Sequence, residues 1–161
     1  MRKIIFICIF VFVTGNAVAD DVPAYERAID SIVSKAEEPE GVVFEIVSAH
    51  NNFLLWALPE VQRLSNRLHQ KFPDVKIVVV SHGSEMFALT SEGQKKQPAL
   101  KQQLESLSEN EIDVHVCGTL AEMRHVSHES FPENIEVATH GPSEINKYID
   151  LGFVHIKLSR Q

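Results

Sequence analysis

Five short apolar runs, rich in β-branched residues, alternate with segments of helical periodicity and constrain the fold more than any other feature. The runs read GVVFEIVSA, VKIVVVS, DVHVC, IEVAT and FVHIKL, at 41–49, 75–81, 113–117, 135–139 and 153–158. Parallel neighbouring strands need a crossover connection, which is usually a helix. The alternation of strands and helices therefore predicts a three-layer α/β fold built on a parallel sheet.

The connecting segments supply the helices. Leucine and valine residues recur at three- and four-residue spacing over 53–70, which predicts a helix there, and Pro59 marks a kink or the true first turn. A second helix follows a polar loop and carries Leu100, Leu104 and Leu107, with a short one over 119–125. Pro142 opens the last helix and Gly152 closes it as a left-handed cap.

The first 19 residues have the features of a cleavable signal peptide. Arg2 and Lys3 precede an apolar run over 4–13, and Ala17-Val18-Ala19 fits a cleavage site before Asp20. The apolar run is too short to span a bilayer comfortably. The sequence predicts a periplasmic or secreted protein, with no membrane association after cleavage.

Cleavage would leave 142 of the 161 residues, enough for one core. We expect an N-terminal helical extension over 20–40 and one domain over 41–161. Loss of the two basic residues changes the formal net charge from −7 to −9. An acidic chain without a basic run is a poor partner for polyanions, so nucleic acid binding is not expected.

Cys117 is the single cysteine that survives the predicted cleavage, because Cys8 lies inside the signal peptide. A single cysteine cannot form a disulfide within its own chain. A leftover cysteine in an exported protein indicates an intermolecular bridge or a free reactive thiol. A buried, inert thiol is the third alternative.

The predicted strand ends carry most of the chemistry. Ligands of open parallel sheets collect at the carboxyl ends of the strands. Here His50, His82, Cys117 and His140 follow the first four strands, so all four lie on one edge of the sheet. A helix beginning directly after Gly118 would place the thiol at its N-terminus, where backbone N–H groups stabilise an anion.

Other histidines have alternative explanations. His115 lies two residues before Cys117 on the same face of its strand, and we interpret it as a packed, satisfied imidazole. His155 is expected at a half-exposed edge position. His125 and His128, with Cys117 or His140, would offer nitrogen and sulfur ligands for copper or zinc. This metal site is an alternative, and no resident metal or cofactor is expected.

Three segments taken together resemble a known family. VVVSHGSEMFAL, IDVHVCGTL and IEVATHGPSEINKYIDLGFVHIKL are similar to the DsrE/DsrF-like (YchN-like) sulfur-relay proteins, over about 42–158. The most specific pieces are the pair His82-Gly83 and the run Val-Cys-Gly-Thr at 116–119.

This resemblance implies a parallel five-stranded α/β/α subunit that assembles into a homotrimer or homohexamer. It implies that Cys117 carries sulfur as a persulfide. In such a sheet we expect the third strand to lie between the second and fourth, so that His82 and His140 flank Cys117. The predicted catalytic residues are therefore Cys117, with His82 and His140 stabilising its thiolate. The expected partner is a sulfur donor or acceptor protein, or a small sulfur compound. The alternative from another class is a non-catalytic oligomeric binding module with an inert Cys117.

Overall fold

The structure, a computed structural model, describes residues 22–160. The predicted signal peptide lies outside the described residues. The strands are Val42–Ile46 (β1), Ile77–Ser81 (β2), Ile112–Cys117 (β3), Ile135–Ala138 (β4) and Val154–Leu158 (β5). The helices are Ala24–Val33 (α1), Leu54–Lys71 (α2), Ser91–Lys96 (α3), Pro98–Glu109 (α4), Gly118–Met123 (α5) and Gly141–Asp150 (α6), with 3-10 helices at Ser84–Leu89 and His128–Ser130.

All five strands form one parallel sheet in the order β4-β3-β2-β1-β5. This confirms the predicted α/β fold with a five-stranded parallel sheet. It also places β3 between β2 and β4, as the resemblance implied. The carboxyl ends of β2, β3 and β4 consequently lie side by side, and β5 is an edge strand.

One face of the sheet, called the apolar face below, packs against α1, α2 and α4. Strand residues that alternate along β1 and β2, such as Phe44, Ile46 and Val79, are fully buried in the main hydrophobic cluster. The leucines of α2 and α4 lie in the same cluster, with the buried positions Leu54, Leu58, Leu64, Leu68, Leu100, Leu104 and Leu107. The helical stripes and the strand periodicity therefore meet in a single core.

Of the helices that the structure describes, α6 covers the opposite face, called the polar face below. A small cluster of Val43, Val78, Val80 and Ile145 holds that helix against the sheet. Most other strand residues that point to this side are ionisable, namely Glu45, Asp113, His115, Glu136, His155 and Lys157. One sheet thus separates a continuous apolar core from a surface rich in histidine and carboxylate groups.

The N-terminal segment contributes to the core. Within α1, Tyr25, Ile29 and Ile32 are buried in the main cluster. Acidic groups of α1 pair with basic groups of α2, including half-buried Glu26, whose Oε2 lies 2.7 Å from Arg67 Nη1. Among residues 22–160, no helix is both long enough and apolar enough to cross a membrane.

Local structure departs from the sequence predictions at two places. The helix α2 begins at Leu54, so Pro59 lies inside it and the interpretation as a first-turn proline was wrong. The predicted polar loop after β2 contains a 3-10 helix and α3, which Thr90 caps by accepting a hydrogen bond from Gly93 N at 3.0 Å. Gly152 has φ +91°, which confirms the left-handed cap after α6.

Candidate functional site

Cys117 is the last residue of β3 and the N-cap residue of α5. Its backbone is extended, with φ −84° and ψ 108°, and α5 begins at once with Gly118. The predicted position of the thiol at a strand end and helix start is therefore observed. The residue is 4% exposed and belongs to the main hydrophobic cluster. A reagent must be small, or the surrounding structure must open, before it can reach the sulfur.

His82 and Cys117 lie side by side at the start of α6. Ser81 pairs with Val116, so the next residue of each strand is a neighbour across β2 and β3. A Cβ atom built on Gly141 would lie 2.5 Å from His82 Cβ and 3.3 Å from Cys117 Cβ. Only glycine lets α6 begin this close to both side chains.

The imidazole of His82 is hydrogen-bonded to Glu45 on the neighbouring strand. His82 Nε2 lies 3.0 Å from Glu45 Oε1, and the second oxygen of the same carboxylate lies 2.8 Å from His155 Nε2. Lys157 Nζ donates to Glu45 Oε1 at 3.1 Å. Glu45 is therefore the common acceptor for two imidazoles and an ammonium group.

These three hydrogen-bond donors lower the pKa of Glu45 and keep its carboxyl group ionised. Burial alone would raise the pKa of this carboxyl, but the hydrogen bonds from Lys157, His82 and His155 outweigh burial and hold the pKa below its usual value. An ionised carboxylate can only accept hydrogen bonds, so His82 Nε2 is the donor. In the neutral ring, Nδ1 is then the free acceptor.

His140 and His50 occupy different surroundings from His82. His140 is exposed and is the N-cap residue of α6, where Nδ1 accepts from Ser143 N at 3.4 Å and lies 3.0 Å from Ser143 Oγ. This ring organises the first turn of α6. His50 is exposed in the turn before α2. The structure thus brings His82 beside Cys117 and gives His140 a capping contact.

His128 packs against Gly118, the residue after Cys117. A Cβ atom on Gly118 would lie 3.2 Å from His128 Nε2, so this imidazole packs over the start of α5. His125 is exposed and has φ 56° in the preceding turn. Within residues 22–160, the group of potential metal ligands that lies close together contains none of Cys117, His125, His128 and His140. The described geometry does not assemble the metal site considered above.

A second buried carboxylate braces the tips of β1 and β2. Glu85 is 0% exposed, and it accepts hydrogen bonds from Ser48 N at 2.6 Å, Ser81 Oγ at 2.9 Å and Gly83 N at 2.9 Å. A Cβ atom on Gly83 would lie 2.3 Å from Glu85 Oε2. The glycine of the His-Gly pair is therefore required by the carboxylate that holds the His82 turn in place.

Within residues 22–160, no side chain forms a hydrogen bond or ion pair with the Cys117 sulfur. His82 is directed to Glu45, and His140 to Ser143. The arrangement offers a protected sulfur atom beside an imidazole whose tautomer Glu45 selects. Such a site suits group transfer by sulfur, and it does not by itself supply a metal centre.

Sequence reasoning missed Glu45 and Glu85. Glu45 carried a usable signal, because it is the single charged residue in the apolar run of β1 and buried charges are paired. Glu85 lies two residues after Gly83, in a segment without apolar periodicity. No sequence pattern predicted that its side chain is buried.

A family model described as the DsrE/DsrF-like family matches residues 40–158. MTH1491 of Methanobacterium thermoautotrophicum, a protein of unknown function, is similar in structure, with a TM-score of 0.61 and 18% identity over 73% of this chain and 97% of that one. The ychN protein of E. coli has a TM-score of 0.55 and 18% identity, covering 73% and 98% of the two chains. BT1422 of Bacteroides thetaiotaomicron, a conserved protein of unknown function, has a TM-score of 0.53 and 10% identity, covering 74% and 95%.

These structural similarities concern the fold alone, because the identities are low. No curated protein sequence is significantly similar to this chain.

Proposed function

We propose that this protein is an exported sulfur carrier in which Cys117 accepts and hands on sulfane sulfur. The premise is its family: the chain belongs to the DsrE/DsrF-like family. The family suggests a role in sulfur relay in general terms. The observation that supports the finer proposal is the convergence of Cys117 and His82 on Gly141, with the His82 ring held by Glu45.

The proposed loading step needs no external oxidant. The Cys117 thiolate attacks a terminal sulfur of a polysulfide, a new bond forms between Sγ and that sulfur, and the adjacent S–S bond breaks. The shortened polysulfide leaves with the electron pair. The thiol proton passes to His82 Nδ1 and from there to the leaving polysulfide, so atoms and charge balance. His140, capping α6, helps to hold the start of that helix against Cys117.

Burial of Cys117 fits a persulfide in an exported protein. Thiols and persulfides are readily oxidised outside the cytoplasm, and they persist only when they are sheltered or regenerated. At 4% exposure, Cys117 is sheltered from bulk solvent. The same burial restricts the donor to a small sulfur compound, or to a partner protein that opens the site.

Intact mass measurement tests the carrier function. The purified protein, incubated with polysulfide, should gain the mass of sulfur, and a reductant should remove it. Cys117→Ser should gain none. His82→Gln should reach the same final mass about 10²-fold more slowly, as expected for loss of a general base. Failure of the unchanged protein to gain sulfur, with the Cys117 thiol intact, would overturn the proposal.

A second candidate function is a non-catalytic binding module with an inert thiol. Its support is specific: Cys117 lies in the hydrophobic cluster and its sulfur has no polar partner in the described part of the chain. Labelling of the native protein by a small alkylating reagent separates the two functions. Labelling much slower than that of unfolded protein, together with no sulfur uptake, would favour the binding module.

Export and assembly are also part of this proposal. Residues 1–19 would be removed during export, so the protein recovered from the periplasm or medium should begin at Asp20 by mass spectrometry. Retention of Met1 in all recovered protein would contradict cleavage. We propose a homotrimer or homohexamer, which light scattering coupled to gel filtration measures directly. A monomer at all concentrations would contradict that assembly.

A further inference from the structure

His115 is buried on the polar face, and its surroundings are incomplete. Its side chain is 3% exposed, and its ring meets Tyr148 edge-on, with centroids 5.8 Å apart. The ring nitrogen Nδ1 has no hydrogen-bond partner. The ring is packed as the sequence analysis predicted, but the prediction that it is satisfied was wrong. An unpartnered buried nitrogen is costly and calls for a ligand.

Two carboxylates flank this imidazole. Glu136 lies directly opposite His115 in the pairing of β3 and β4, with Oε2 at 3.6 Å from Nε2. Glu144, in the first turn of α6, places Oε1 at 3.6 Å from Nδ1. A separation of 3.6 Å is too long for a hydrogen bond. One potential ligand atom from each of the three residues lies within 4.8 Å of the others.

We propose that His115, Glu136 and Glu144 bind a divalent first-row transition metal ion, with zinc as the natural probe. Zinc bonds to nitrogen and oxygen are about 2.0–2.2 Å long, so tetrahedral ligands are separated by about 3.4 Å. His115 Nδ1 and Glu144 Oε1 lie 3.6 Å apart, so these two atoms need to move only slightly closer to bind one zinc ion. One imidazole and two carboxylates leave a coordination position for water or a substrate anion.

The surface around the site favours cations. An open cavity of about 220 Å³ is lined by His115 and by the acidic residues Asp113, Glu133 and Glu136. Acidic clefts raise the local concentration of cations. Glu136 is 66% exposed, so its side chain is free to turn toward an entering ion.

Lys147 competes with a metal ion for Glu144. Its Nζ donates to Glu144 Oε1 at 2.9 Å, and its side chain is 58% exposed. An entering cation would displace this ammonium group into solvent. Removal of Lys147 should therefore tighten metal binding, which a purely structural role for Glu144 would not produce.

The site is independent of the proposed sulfur chemistry. It uses neither Cys117 nor His82. It lies between β3, β4 and Glu144 of α6, whereas those two residues meet at Gly141, the first residue of the same helix. Success or failure of either proposal leaves the other to be decided by its own measurement.

Calorimetric titration of the purified protein with zinc chloride tests the inference. We expect one ion per chain. Loss of an outer-sphere contact typically weakens metal affinity 10–100-fold, so Glu144→Gln and His115→Gln should weaken it by at least about tenfold. Lys147→Gln should tighten binding. Two control variants should leave the zinc affinity unchanged. Glu133→Gln alters the same cavity without removing a ligand, and Cys117→Ser removes the thiol.

Thermal unfolding supplies a second readout. Zinc should raise the Tm of the unchanged protein by more than that of Glu144→Gln. The Tm of Glu144→Gln without metal shows whether this variant folds. Absence of zinc binding by the unchanged protein would overturn the proposal. Binding that survives Glu144→Gln and disappears in Cys117→Ser would overturn it equally, because the thiol would then be the ligand.

Discussion

The two faces of the same sheet differ in what they contain and in what they can do. On the apolar face, Phe44 and Val79 pack into one continuous cluster that includes residues of α1, α2 and α4. On the polar face, the neighbouring residues Val43 and Val78 belong to a cluster of four buried side chains under a single helix. Alternation along each strand produces this difference, since successive side chains point to opposite faces.

Among the described residues, two glutamates are buried near the strand tips, and they act differently. Glu85 is fully buried, and backbone N–H groups and a hydroxyl bind it. Glu45 has a side chain 12% exposed, and its partners are His82, His155 and Lys157. Backbone donors make Glu85 a brace of the fold. Titratable partners make Glu45 a group that can orient an imidazole, so the proposed sulfur chemistry would use a side chain held on the polar face.

The largest expected effect is a loss of core packing on the apolar face. Phe44→Ala should lower the free energy of unfolding by about 3–5 kcal/mol, because it empties a fully buried site in a well-packed cluster. Val43→Ala, one residue earlier on the polar face, removes two carbons and should cost about 1–2 kcal/mol. Urea unfolding of both variants measures the difference. Equal losses would show that α6 packs as tightly as the helices opposite.

The apolar face is also the part of the molecule that the sequence predicts best. Strand positions followed from β-branched runs, and α2 and α4 followed from leucine spacing. The order of β2, β3 and β4 followed from a family resemblance. The helix α3 was missed because residues 91–96 have no apolar stripe, and its capping by Thr90 was a weaker signal. Helices and strands that bury one face can thus be predicted from the local periodicity of their apolar residues.

The site was predictable in position but not in its contacts. Parallel strands place His82 and Cys117 on one edge, and the resemblance placed their strands side by side. The partner of His82 could not be predicted, because Glu45 is 37 residues away and the pair depends on β1 lying next to β2. The burial of Cys117 depends on the tertiary packing of the main hydrophobic cluster, which no local residue pattern determines.

The second prediction compares the two glutamates by one substitution. Glu85→Gln turns an acceptor into a side chain that is half donor, so backbone N–H groups at Ser48 or Gly83 lose their partner. An unsatisfied buried donor costs about 1–3 kcal/mol. Glu45→Gln, on the polar face, should lower the free energy of unfolding by about 1 kcal/mol at neutral pH. Equal values in urea unfolding would contradict the assignment of Glu85 as the brace.

The third prediction uses pH to identify the contribution of Glu45. Its pKa is lower in the folded protein than the ordinary value of 4.5, so its ionised form stabilises the fold above that value. The contribution is lost as the pH falls through the folded pKa. The difference in unfolding free energy between the unchanged protein and Glu45→Gln should therefore be constant near neutral pH and shrink below about pH 4.5. A difference that grows toward acid pH would contradict this sign.

The smallest expected effect tests the outermost partner of Glu45. Lys157 is 55% exposed and donates to Glu45 at 3.1 Å, so Lys157→Met should cost about 0.2–1 kcal/mol, and less at high salt. Lys101→Met removes a 3.7 Å pair with Glu105, which is itself 57% exposed, and should change stability less. Chemical denaturation at two salt concentrations measures both. If the losses are equal, burial of Glu45 adds nothing to its ion pair, and the polar face is an ordinary solvated surface at this point.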